Sequence, residues 1–307
     1  SSTMAESDSL PAGRPTGARP ALPLWFRAAS RLRGVAIPIG VLAILVDVVA
    51  SRLLPDGALP DGSTLVVGLG GLALLVVGLI LLFLPGAPRV APLPVAAPVA
   101  GRWVAINSPA SGAPSHGTHG YGQTYAVDLA YELAPGARPA FGSGPGFRPP
   151  EDFPAFGQPV FAPAAGRVVA VRRDARDHRT RSTWPAVAWM LLEGALVELT
   201  GPRGLLGNHV VLDLGGGAYA LLAHLQHGSV AVAPGQQVGR GELLGRCGNT
   251  GSSSEPHLHF QLMDHPRVLI AAGLPFALTG VRLEGEGAAG IPANNQALVA
   301  PPSVAAQ

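Results

Sequence analysis

"GNTGSSSEPHLHFQL" (248–262) joins a turn of Gly, Asn, Thr and Ser to a run in which apolar and polar residues alternate. Alternation with period two predicts a strand, and it sends His257 and His259 to one face and Leu258 and Phe260 to the other. Two residues apart on a strand, their Cα atoms lie about 6.5–7 Å from one another, so both imidazoles can reach one shared point. Pro256 suits the opening of such a strand, where its missing N–H matters least. Taken alone, the pair fits equally well two polar side chains on a solvent-facing edge.

The neighbouring sequence has the same rhythm. "YAVDLAY" (125–131), "PVFAPAAGRVVAVRR" (159–173), "NHVVLDL" (208–214) and "AYALLAHL" (218–225) carry β-branched or aromatic residues between Gly and Pro. "WPAVAWMLLEGALVELT" (184–200) fits a helix or a strand. The pattern predicts a mainly β fold over residues 101–280, an antiparallel sheet with long loops at 133–158 and 174–207.

Three of these runs contain a polar residue that an apolar strand does not need. Asp128 stands between Ala126, Val127 and Leu129, where an unpaired carboxylate is costly; a metal ion, an arginine or backbone N–H groups would answer it. His224 interrupts 220–225. His116 and His119 lie in the flexible loop that leads to Asp128. Two histidines and a carboxylate hold zinc at three positions and leave a fourth open. Histidines beside such a site can take and deliver protons near neutral pH. His209, His178, His227, His265 and Glu255 read as ordinary turn or surface residues, and Asn249 and Thr250 as turn chemistry.

The stretches "YGQTYAVDL", "FGQPVFAPAAGRVVAV", "GNHVVLDL", "LLAHLQHGSVAVAPGQQVGRGELLGRCGNTG" and "EPHLHFQL" resemble, in this order, the lysostaphin-type (LytM-like) zinc endopeptidases that cut peptide bonds in bacterial peptidoglycan. The resemblance implies a Zn2+ enzyme acting on peptidoglycan peptide crosslinks with metal-activated water. It implies the loop histidine, Asp128 and His259 as zinc ligands. It further implies His257 as general base, and His224 as the group that helps hold the water and the developing oxyanion. The family's common H-x-x-x-D spacing is absent, because His119 precedes Asp128 by nine positions and His116 by twelve. A loop of eight intervening residues is workable, so His119 is the preferred first ligand and His116 the alternative. A non-enzymatic relative that binds cell wall or a partner hydrolase is the alternative function.

Upstream of 101 the composition changes. Residues 1–33 read as a disordered basic tail. Residues 34–54 and 64–84 read as two transmembrane helices, the second 21 residues without a charge, about 30 Å long and so matched to a bilayer core. Asp47 mars the first, at about 2.5–3.5 kcal/mol on insertion scales. Residues 85–100 read as a Pro-rich linker, a semi-rigid spacer holding the domain off the membrane. Residues 281–307 read as a flexible tail. With two spans the arginine distribution places the domain in the cytoplasm, and with a single span over 64–84 it places the domain outside; the peptidoglycan substrate implied by the resemblance also places it outside the cell membrane, and we give this more weight because Asp47 sets the first span apart.

Overall composition excludes several classes. Only 13% of the 307 residues are charged, against about 25% in ordinary globular chains, and the formal net charge is +2. No basic run with interleaved aromatics supports nucleic-acid binding. All 21 basic residues are Arg. Lysine chemistry is therefore absent, including that of the biotinyl or lipoyl carriers whose Gly-spaced strands residues 232–251 otherwise resemble. Cys247, the lone cysteine, can form no internal disulfide and reads as a small buried residue.

Overall fold

The computed structural model describes residues 21–55, 57–190, 201–285 and 290–302. The first twenty residues, the second half of 184–200 and the extreme C-terminus lie outside the described residues; Trp184 to Met190 are helical.

Two helices open the chain, α1 (Leu24–Leu53) and α2 (Ser63–Phe83). Both are long and apolar enough to cross a membrane. They pack as a hairpin through small residues. A Cβ on Gly71 would meet the Ala43 methyl at 2.8 Å and the Gly40 carbonyl oxygen at 2.9 Å, and one on Gly78 would meet Ile37 at 2.5 Å. Close backbone approach of this kind gains dispersion contacts where lipid supplies no hydrophobic drive. Asp47 lies against Gly68 of the facing helix. Most other Leu, Val and Ile side chains of α2 stay exposed.

The rest of the chain is β. We number the strands β1 (Leu93–Ala96), β2 (Gly101–Asn107), β3 (Val127–Tyr131), β4 (Pro159–Phe161), β5 (Gly166–Arg172), β6 (Asn208–Gly215), β7 (Ala218–Leu225), β8 (Gln237–Val238), β9 (Leu243–Arg246), β10 (Leu258–Met263), β11 (Gly273–Leu274), β12 (Phe276–Thr279), β13 (Arg282–Leu283) and β14 (Ala297–Ala300). The main sheet runs β13-β14-β2-β3-β10-β7-β6-β5-β8, with β11 also on β10, and every pairing in it is antiparallel. β4 pairs with β9, and β1 with β12 in the one parallel pairing among the described strands. The expected mainly β, antiparallel domain behind a helical hairpin is therefore what the chain forms.

The pleat sorts the side chains. Leu258, Phe260 and Leu262 of β10 enter the main core with Val127, Leu129, Leu222 and Trp103. Each such fully buried side chain contributes about 1.5–3 kcal/mol of transfer free energy. Met263 joins Leu221, Ala223 and Val211 in a second cluster on the opposite face.

Three expected boundaries shift. Residues 24–33 are the first turns of α1 rather than tail. The Pro-rich stretch 85–100 is no free spacer: β1 lies within it, Val95 and Val99 are core residues, and the Tyr125 hydroxyl donates to the Pro88 carbonyl. Pro94 is tolerated because β1 borders a two-stranded edge sheet. The stretch after 280 adds β13 and β14 to the edge of β2, satisfying backbone groups that would otherwise form an open edge.

Cys247 is wholly buried, and burial, then the charge of Asp177, pushes its thiol pKa up. We expect Ellman's reagent to leave it unmodified in native protein and to react with one thiol per chain after unfolding.

Candidate metal centre

The site is assembled on the centre of the sheet, where β3, β10 and β7 are neighbours. Asp128 and His259 are direct cross-strand partners. The expected shared face of His257 and His259 is present, and both rings are buried. Asp128 is the hub. Its Oδ1 lies 2.9 Å from His259 Nδ1 and 3.6 Å from His257 Nε2; its Oδ2 lies 2.9 Å from His116 Nε2 and accepts a hydrogen bond from Asn107 Nδ2 at 2.9 Å. Asn107 reaches it because a bulge between Ala105 and Asn107 shifts β2 against β3.

His116, Asp128 and His259 offer one ligand atom each, all within 4.8 Å of one another. His119, the preferred loop histidine at the level of sequence, does not join them. Its Nδ1 pairs with Thr124 Oγ1 at 3.0 Å and its ring stands edge-on to Phe26 of α1, 5.4 Å away. Burial, then the charge of Arg33, lowers its pKa. Loop spacing does not separate the two histidines; the packing of α1 against His119 does.

His224 arrives by another route. Strict alternation would place it opposite to Ala223, the cross-strand partner of His259. Instead its backbone has φ 61°, the left-handed region, at a bulge where β6 and β7 shift register. A non-glycine residue there is strained, at about 1–3 kcal/mol. The bulge turns the His224 ring towards the site, 4.8 Å from the ring of His257 and 5.9 Å from that of His259. Burial, then the charges of His257 and His259, hold its pKa well below the usual histidine value.

The hydrogen-bond partners fix the tautomers. His224 Nδ1–H donates to the Thr250 carbonyl at 2.8 Å and His257 Nδ1–H to the Glu255 carbonyl at 2.8 Å, so each directs an Nε2 lone pair elsewhere. Gln261 Nε2 donates to the Tyr121 carbonyl, which leaves Gln261 Oε1 to accept from His259 Nε2–H at 2.8 Å. Ser115 Oγ donates to the Ala126 carbonyl at 2.7 Å and accepts from His116 Nδ1–H at 3.0 Å. His259 Nδ1 and His116 Nε2 therefore both turn lone pairs to a carboxylate at 2.9 Å. Acceptors so close need a proton or a cation between them. With protons alone, burial works against a charged His116, yet the charge and hydrogen bond of Asp128 outweigh it and raise its pKa; Asp128, also opposed by burial, is held low by His116 and His257. A donor set of two imidazoles and one carboxylate suits zinc.

Asn107, Gln261, Ser115, Thr250 and the Glu255 carbonyl are site residues that spacing did not single out; only the alternation of Gln261 with His259 signalled one of them. The Glu255 side chain pairs with Arg138 and takes no place among the imidazoles. His178 is more than surface: its Nε2 bonds to the Gly251 carbonyl at 2.7 Å, fastening loop 174–183 to the Gly-Ser turn. His209 holds the Gly207 carbonyl, away from the cluster.

Residues 191–269 match the model of peptidase family M23. That segment contains His224, His257 and His259, while His116 and Asp128 precede it. Peptidoglycan DD-endopeptidase ShyA of Vibrio cholerae is 36% identical over 84 residues, which are 27% of this chain and 19% of that protein. This chain thus spans about a fifth of the length of that relative. Among solved structures, a putative peptidase M23 from Pseudomonas aeruginosa is similar at 20% identity and a TM-score of 0.32, over 62% of this chain and 52% of that one. The catalytic domain of lysostaphin from Staphylococcus simulans is similar at 20% identity and a TM-score of 0.30, over 57% of this chain and 88% of that one.

Proposed function

We propose that the chain is a membrane-anchored zinc endopeptidase that hydrolyses peptide bonds in peptidoglycan. The observation that carries this reading is the carboxylate of Asp128 facing two imidazole lone pairs at 2.9 Å. The M23 match supports the peptidase class, and the relative named as a peptidoglycan endopeptidase supports the substrate. His116, Asp128 and His259 would hold the ion. Zinc in an open three-ligand site acts as a Lewis acid, polarising a carbonyl and acidifying water.

The remaining residues divide the proton work. His257 Nε2, its ring fixed by the Glu255 carbonyl, takes a proton from the attacking water and returns it to the leaving amine. His224 Nε2 accepts a hydrogen bond from the same water and aims it; with Nδ1–H committed to Thr250, the neutral ring is an acceptor there, which favours holding water over binding an oxyanion. Gln261 and Ser115 orient His259 and His116, the outer support that such ligands require. Because every required residue type is present, an active enzyme is favoured over a silent regulator.

The hairpin of α1 and α2 supports anchoring, with the start of α1 and the peptidase domain on the same side; the proposed substrate, not the hairpin, turns that side towards the wall. Purified full-length chain is expected to contain about one zinc per molecule and to release new amino termini from peptidoglycan. A chelator should abolish the activity and added zinc restore it. A folded chain that takes up no zinc would overturn the proposal.

A further inference from the structure

α1 is 30 residues long, about 45 Å, against a bilayer core of about 30 Å. Its first ten residues are not needed for crossing, and they carry a buried stripe, Phe26, Ser30 and Arg33, at helical spacing. That stripe meets the loop that bears His116. Arg33 forks between two elements: its Nη1 donates to the Leu81 carbonyl of α2 at 3.0 Å and its Nη2 to the His119 carbonyl at 2.7 Å. The loop answers from its own side, His119 N–H donating to the Leu82 carbonyl at 2.8 Å and Thr118 Oγ1 to the same oxygen at 3.2 Å.

Further contacts secure the dock. Arg31 makes a two-pronged ion pair with Asp264, just past β10, at 2.9 and 3.1 Å. A Cβ on Gly34 would run into the Leu269 carbonyl oxygen, so helix and domain touch backbone to backbone. On its other side the turn 120–122 rests on β10, where a Cβ on Gly122 would meet Gln261 and Met263 at 3.2 and 3.3 Å. The loop is thus clamped between the hairpin and the strand that carries His259.

We propose that Arg33 is a positioning residue of the metal centre: by bridging the Leu81 and His119 carbonyls it locks the loop that presents His116 to Asp128, so that metal affinity depends on the docked hairpin. This rests on the zinc reading above. Removing the fork leaves two buried carbonyls without their donor and frees a loop only three residues from His116.

The test uses the full chain in detergent, with Arg33→Gln, the partial replacement Arg33→Lys, and Arg52→Gln at the far end of α1 as control. In Arg33→Gln, amide exchange over 117–121 should rise by on the order of tenfold while β10 keeps its protection. Zinc affinity, read by competition with a chromophoric chelator, should fall about 10–100-fold, the range for lost outer support of a ligand. Arg33→Lys should fall between, and Arg52→Gln should match the parent. Should Arg33→Gln fail to fold, Arg33→Lys decides by the same two readings. Unchanged loop exchange, unchanged zinc affinity, or a loss of β10 protection alongside the loop overturns the proposal. A parent chain that binds no zinc sinks the zinc reading instead, and loop exchange then decides alone whether Arg33 orders the loop.

Discussion

Asp128→Asn is expected to give a folded chain that holds no stoichiometric zinc and has lost peptidase activity by about a thousandfold or more, several kcal/mol of transition-state stabilisation. The substitution keeps the shape of the side chain, and its amide oxygen can still accept from Asn107, so the sheet between β3 and β10 should form. The negative charge is lost, and with it the partner that the His116 and His259 lone pairs would share with the proposed cation. An amide nitrogen turned towards either histidine would donate a hydrogen bond into the lone pair that a metal needs. Elemental analysis and release of amino termini from peptidoglycan measure the two losses, and circular dichroism checks the fold. Retention of one zinc per chain by this variant would remove Asp128 from the ligand set.

His257→Ala should separate binding from chemistry. His257 Nε2 stands 3.6 Å from Asp128 Oδ1, farther than either proposed ligand, and its Nδ1 is tied to the Glu255 carbonyl. Zinc content should therefore stay near one per chain while kcat falls about 10²–10⁴-fold, the range for a positioned general base. KM should change little, and the pH–rate profile should lose the limb that reports the base. Loss of zinc instead would make His257 a ligand and leave the proton work to His224.

How far the sequence carries the fold depends on where each side chain gets its direction. His257 and His259 were legible because a regular strand fixes direction by parity alone. Asp128 stood out because an apolar run has no use for it. His224 could be suspected but not aimed: a left-handed backbone at a bulge, invisible in the letters, reverses its parity. The choice between His116 and His119 depended on a contact with α1 across more than eighty residues, which no spacing rule contains. That contact was itself hidden, because the stripe of Phe26, Ser30 and Arg33 mixes polar and apolar residues and reads as a basic tail. β13 and β14 escaped notice because Ala, Pro and Gly suggest looseness, whereas the unpaired edge of β2 recruits them.

The absence of slack between α2 and the sheet has a geometrical outcome. Nine residues separate Phe83 from Leu93, the carbonyl of Pro88 is held by Tyr125, and the start of α1 grips the domain from beneath. A hydrolase on a long leash patrols a volume; one seated this firmly works a thin layer, on the order of 40 Å deep, the diameter of a domain of roughly 200 residues. Under the proposed function, crosslinks beyond that layer would have to be brought to it, so the lateral diffusion of the proposed anchor, rather than any swing of the catalytic body, would decide which bonds it meets.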